Sequence, residues 1–254
     1  MIGLYGYFGY MRLTRKKKFN LEHASTTNEY CERYDLHSFW AIDSLNYPLK
    51  SDQINFDLLN AAVFFQSNLE RDQRHLPICA YHEVLEAAAW LHSSQMKQHR
   101  FFAHENPANI QLKTLIDRVN ACIPKTNLIF QLLGENLADM PLLNAGGKPF
   151  TIQKTASEVR YFSTENHEAL VNYTYRDFAQ TVVKEWINSP GHRKNLFNAD
   201  YRLMGCGSTL CERSGVQGGP LPHRFHLKVT QNFGSLSTAF DGRQTRTKYR
   251  KQWT

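Results

Sequence analysis

No stretch of this chain reaches the run of about 18–20 apolar residues that a membrane-spanning helix needs. It has no close Cys-x-x-Cys pair, which argues against a cysteine zinc site, and no helical His-Glu-x-x-His segment. No serine or cysteine stands in a nucleophile elbow, so covalent catalysis has no support. Internal repeats and low-complexity tracts are also absent. Acidic residues are missing from the first 18 positions, where Arg12, Arg15, Lys16, Lys17 and Lys18 give a charge of +5. The apolar, aromatic start precedes this cluster, whereas a secretory signal has the charge first, so no cleavable signal is evident. Five cysteines (Cys31, Cys79, Cys122, Cys206, Cys211) cannot all pair within one chain. Cys206 and Cys211, read as flanking a short turn, could form a local bridge in an oxidising compartment.

The 254 residues that remain to be explained can bury a full core. With 42% hydrophobic and 21% charged residues, the composition is that of a globular protein. The net charge of +7 is deceptive. Segment 1–18 contributes +5 and segment 241–254 contributes +4, leaving the stretch between them at −2. The expected organisation is an irregular basic extension over 1–50, one domain over 51–240 and a basic tail over 241–254. The two basic ends could touch an anionic surface or lipid. Aromatic residues interleave with the basic ones only at Phe19, Tyr249 and Trp253, so nucleic acid is not an expected partner.

Apolar spacing predicts a helix over 54–75 and a second over 81–99, where Leu85, Ala88, Ala89, His92 and Met96 draw one stripe. His92 in that stripe reads as a hydrogen-bonded core histidine. A short helix is expected over 112–119 and another over 177–187, with strands over 203–209 and 224–233. The polar segment 138–175 is too long for a structureless loop, so it carries an element of its own or a function. Helices early and strands late predict an α+β layered fold.

Chemistry concentrates in three short stretches: Phe101-Phe102-Ala103-His104-Glu105-Asn106-Pro107, Gly134-Glu135-Asn136, and Trp186-Ile187-Asn188-Ser189-Pro190-Gly191-His192 running on to Asn195. Phe101 and Phe102 are expected to bury and hold His104 at the edge of the core. Gly134 allows close backbone approach, and Asn136 can fix a turn beside Glu135. Asn188 or Ser189 can end one helix and cap the next, with Pro190 at its first position and His192 in its first turn. Two histidines and a carboxylate have the donor chemistry of an open zinc site. The same trio could equally form a polar network in which Glu135 orients one ring. Asn172-Tyr173-Thr174 fits a glycosylation acceptor in a eukaryotic secretory setting.

In this order, and ahead of Met204-Gly205-Cys206-Gly207, the three stretches resemble the CAP superfamily of cysteine-rich secretory, antigen and pathogenesis-related proteins, over roughly Phe56 to Gly234. The resemblance implies a three-layer α-β-α sandwich, export from the cell, and a cleft built by His104, Glu135 and His192, with Ser189 and Asn136 beside them. Ser189 stands where many eukaryotic members carry a second glutamate, which is similar to the bacterial branch. The resemblance further implies a binding or interaction module whose cleft takes a divalent metal, zinc by preference, on His104 and His192, or a small lipid-like ligand. A metal-dependent hydrolase with Glu135 as general base is the alternative, and an interaction protein acting through the basic ends is a third.

Overall fold

The computed structural model describes residues 27–123, 128–155, 159–212 and 225–237. The basic segments 1–18 and 241–254 lie outside the described residues, and so does the glycine-rich stretch between the last two strands.

Among the described residues six α-helices and seven strands follow one another. They are α1 (Glu29–Arg33), α2 (Phe56–Asp72), β1 (Ala80–Tyr81), α3 (Glu83–Gln98), α4 (Leu115–Cys122), β2 (Phe130–Pro141), β3 (Phe150–Lys154), β4 (Val159–Ser163), β5 (Ala169–Leu170), α5 (Tyr175–Asn188), α6 (Pro190–Leu196), β6 (Leu203–Glu212) and β7 (Phe225–Leu236). Local chemistry sets the helix starts. Asn55 accepts from the Leu58 amide at 3.0 Å, Thr114 and Asp117 form a reciprocal capping box, and Thr174 caps α5 through the Asp177 amide. Pro190 opens α6 directly behind Ser189, which ends α5 and offers no side-chain cap.

A four-stranded sheet in the order β1-β6-β7-β2 forms the middle layer, with β1 parallel to β6 and the other pairs antiparallel. Alternation along β6 sorts its two faces. Met204 and Cys206 enter the core shared with α2 and α5, while Gly205 and Gly207 lie under α3. A Cβ on Gly205 would stand 2.2 Å from the Glu86 amide nitrogen, and one on Gly207 would stand 2.1 Å from that of Trp90. The two glycines therefore let the α3 backbone lie flat on the sheet. With α2 and α5 on one face and α3 on the other, the fold is the α+β, three-layer α-β-α sandwich.

Segment 27–50 is part of this body, with Phe39, Leu45 and Leu49 fully buried in the main core. Phe39 stacks on Phe65 of α2 at 4.3 Å between ring centroids. The long polar segment holds its own small antiparallel sheet, β3-β4-β5. Two expectations are corrected. Phe102 is 48% exposed and packs under the Lys228 ammonium, because the chain turns outward once α3 has ended. Cys206 and Cys211 sit five residues apart on one extended strand, about 16 Å of rise, so they cannot bridge, and both are free. The Asn172 side-chain amide donates to the Leu49 carbonyl at 2.7 Å and ties the extension to the domain.

Candidate functional site

Glu135 lies in the interior of β2, paired with Asn232, rather than in a turn. The turn reading fails because Leu133 to Ala138 alternates poorly: both faces of this stretch are covered, so it lacks the polar-apolar signature of a half-exposed strand. β2 is also the last strand of its sheet, and its outer edge has no partner strand among the described residues. Side chains take that place. Tyr201 donates its hydroxyl to the Leu133 carbonyl at 3.2 Å, Asn195 its amide to the Glu135 carbonyl at 2.9 Å, and Trp186 its indole N–H to the Leu137 carbonyl at 2.9 Å. The acceptors are alternate residues, as the ladder geometry of an edge requires. Gly134 is needed for the first of these contacts, since a Cβ there would stand 2.3 Å from the Tyr201 hydroxyl oxygen.

This capped edge forms the floor of a cleft of about 480 Å³. His104, Glu135, Ser189 and His192 all line it, with Leu115 and Leu133 as its only aliphatic side chains among the described residues. The structure thus brings together both histidines and the carboxylate. The two ring centroids are 6.2 Å apart, and His104 Nδ1 lies 2.9 Å from Glu135 Oε1. Asn136 does not reach the cleft. It is fully buried behind it, where its amide nitrogen donates to the His192 carbonyl and to Gln231 Oε1, both at 3.2 Å. Its role is to hold the start of α6, and with it His192, against β2.

Three further side chains complete the arrangement. Arg118 of α4 is fully buried and donates from Nη2 to Glu135 Oε2 at 2.7 Å, while its Nη1 donates to the Lys113 carbonyl at 3.0 Å. His92 is fully buried too, donates from Nε2 to the Ala103 carbonyl at 3.0 Å, and stands 3.9 Å from Glu135 Oε1. Asn195 ties Glu135 and Asn136 to α6. Arg118 left a trace in the sequence: it falls within the turn that carries Leu115 and Val119, on the side of a short helix that should be apolar. Asn195 closes the third motif and carried no assigned role. His92 is the hydrogen-bonded core histidine expected of it.

Electrostatics follow from these contacts. Burial alone would raise the Glu135 carboxyl, but the His104 hydrogen bond and the Arg118 charge outweigh it and hold the group below its ordinary value. Burial brings His92 down to about 4, against a weaker upward pull from Glu135, so this ring is neutral at physiological pH. Burial, with His104 nearby, also lowers His192. Because Glu135 is ionised and only accepts, the proton between it and His104 sits on Nδ1, which leaves Nε2 of a neutral ring with a free lone pair.

The residues fit a metal only in a restricted way. Among the described residues, no three His, Cys, Asp or Glu side chains are grouped closely enough to hold an ion. Both Glu135 oxygens are already engaged, so the donors left are two imidazoles, which suit a divalent ion completed by water. The carboxylate then acts through His104, as outer carboxylates do on ligating histidines.

Comparison with known proteins places the site in a family context. A sequence profile of the cysteine-rich secretory protein (CAP) family matches residues 66–233. The chain is 26% identical over 141 residues to the uncharacterized membrane protein YlbC of Bacillus subtilis, covering 56% of this chain and 29% of that protein. It therefore spans less than a third of that relative. Among solved structures, an extracellular protein containing an SCP domain from Bacillus anthracis is similar over 74% of this chain and 44% of its own, with 25% identity and a TM-score of 0.45. An outer surface protein of Borrelia burgdorferi is similar over 70% of this chain and 92% of its own, with 16% identity and a TM-score of 0.42.

Proposed function

Because the chain belongs to the cysteine-rich secretory protein (CAP) family, we propose that it is a non-catalytic binding module of exported type, whose cleft takes a divalent metal, zinc by preference, on His104 and His192. One observation carries this reading: Glu135 has both oxygens engaged, by Arg118 and by His104, while the two rings converge in front of it. A carboxylate so held is an orienting group. It is poorly placed as the general base of a hydrolase, since a base needs an oxygen free to receive a proton from water. When bound, zinc would supply a positive centre for an anionic or carbonyl group of the ligand. With only Leu115 and Leu133 as aliphatic lining, a small polar ligand suits the cleft better than a lipid tail. Among the described residues, no helix is long and apolar enough to cross a membrane. Action through the basic ends rests on segments outside the described residues.

Isothermal titration with zinc tests the reading. The wild-type chain binds zinc, and a His104→Ala/His192→Ala variant does not. Binding weakens below about pH 6, because an imidazole must be neutral to ligate. Equal affinity in the two proteins removes the metal.

A further inference from the structure

The parallel strand β1 ends after two residues, at Tyr81, while its neighbour β6 continues to Glu212. Beyond Tyr81 the edge of β6 has no partner strand among the described residues, and a second cavity of about 360 Å³ lies there between α2 and α3. Phe56, Tyr81 and Trp90 wall it, and Asp57, Glu83 and Glu86 bring three carboxyl groups to its surface. Among the described residues no lysine, arginine or histidine lines it, and it shares no residue with the histidine cleft.

Glu86 is the singular group here. Its Oε1 accepts from Asn28 Nδ2 at 3.1 Å, and the same nitrogen donates to the Asp57 carbonyl at 3.0 Å. Its Oε2 is shielded from solvent and no donor meets it in good hydrogen-bond geometry among the described residues, although the Tyr81 hydroxyl and the Asn60 side chain lie close enough to lower the carboxyl. A buried acceptor left unmatched is destabilising, more so when it is charged. Burial raises the carboxyl to about 7, offset in part by Tyr81 and Asn28. The groups that face it are Asp57 from α2, Tyr81 from β1, Cys31 from α1 and Cys206 from β6, none of them a cation. The site thus presents negative charge, an unmet acceptor and aromatic walls together.

We propose that this cavity binds a protonated amine with an apolar body, its ammonium donating to Glu86 and its body resting against Phe56, Tyr81 and Trp90. Aromatic faces attract cations, and their area favours an organic ion over a bare metal. Among the described residues, no three carboxylates or other ligating side chains are grouped closely enough here for a metal ion. An N–H donor answers the unmatched oxygen, which a quaternary ammonium has no hydrogen to reach.

The test is calorimetric titration of phenethylamine into the full chain at about pH 8, where a carboxyl titrating near neutrality is ionised, with 2-phenylethanol as the uncharged counterpart. The amine binds saturably, the alcohol does not, and Glu86→Gln and Trp90→Leu each weaken the amine about ten-fold or more. Zinc affinity stays unchanged in both variants, which separates this cavity from the histidine cleft. Absence of saturable amine binding up to tens of millimolar overturns the proposal, as does equal affinity of Glu86→Gln or equal binding of the alcohol. Should Glu86→Gln fail to fold, the wild-type affinity decides: it must fall on acidification to about pH 5.5, as Glu86 takes up a proton. A pH-independent affinity overturns the assignment.

Discussion

Replacing Arg118 with methionine puts the electrostatic account of the cleft at risk. The guanidinium and the Glu135 carboxylate are both enclosed, with exposures of 0% and 5%, and meet at 2.7 Å. At a charge separation of about 4 Å and an effective dielectric constant of about 20, their attraction is about 4 kcal/mol. Removing one partner of such a pair leaves the other charge buried, a loss of about 3–5 kcal/mol. The pH dependence identifies the cause. In the wild type Glu135 is held below its unfolded value, so its contribution is present above about pH 4.3 and fades as pH falls through the folded value. Without Arg118 the carboxyl loses part of what offsets its burial, beside the His104 hydrogen bond, and moves upward. The variant then carries a penalty at pH 7 that proton uptake relieves, by Glu135 or by His92 beside it at 3.9 Å. Urea unfolding at about pH 7 and pH 5 should show the gap between wild type and Arg118→Met narrowing with acid. A gap under about 1 kcal/mol, or one that does not narrow, refutes the reasoning.

Gly134→Ala drives a methyl into the Tyr201 ring, so it should lower stability by about 1–3 kcal/mol, and Tyr201→Leu should restore much of that loss in the double variant. His92 is depressed to about 4 in the fold; its neutral state stabilises the protein above about pH 6.5, and that contribution is lost as pH falls from there toward 4. A His92→Gln variant that still folds should have a visibly flatter profile across this window in thermal melts, and an unchanged slope would contradict the assignment. Trp186→Phe keeps an aromatic ring but orphans the Leu137 carbonyl and leaves a void where the larger indole packed, so it should cost at least about 1–3 kcal/mol in denaturant unfolding.

Much of this was legible in the sequence because it rests on local rules. The helices at Phe56–Asp72, Glu83–Gln98 and Tyr175–Asn188 follow apolar spacing and short polar caps, and their observed ends lie within about three residues of the expected ones. His104, Glu135 and His192 were found as motifs, and the fold brings them into one cleft. What could not be read depends on pairings far apart in the chain. Glu135 looked like a turn residue because its glycine and asparagine neighbours usually mark turns. Here Gly134 makes room for Tyr201, 67 positions later, and Asn136 holds the His192 backbone, 56 positions later. Arg118 was passed over because an arginine in a short helix is ordinarily solvated. Its burial makes sense only beside a carboxylate from another element.

The capped edge of β2 joins these long-range contacts into one device. An open sheet edge normally invites a further strand. This one is closed by an indole, a carboxamide and a phenol drawn from α5, α6 and the loop before β6. The same side chains fix where α6 begins, and α6 carries His192. Through β2, the edge also fixes Glu135, which aims His104. Both rings are therefore referenced to a single strand, and their 6.2 Å separation is a property of the sheet rather than of the loops that bear them. Trp186→Phe and Gly134→Ala should accordingly weaken zinc binding as well as the fold, although neither residue is a ligand. If either variant, while still folded, binds zinc as tightly as the wild type, the histidines are positioned by their own loops and this account of the cleft is wrong.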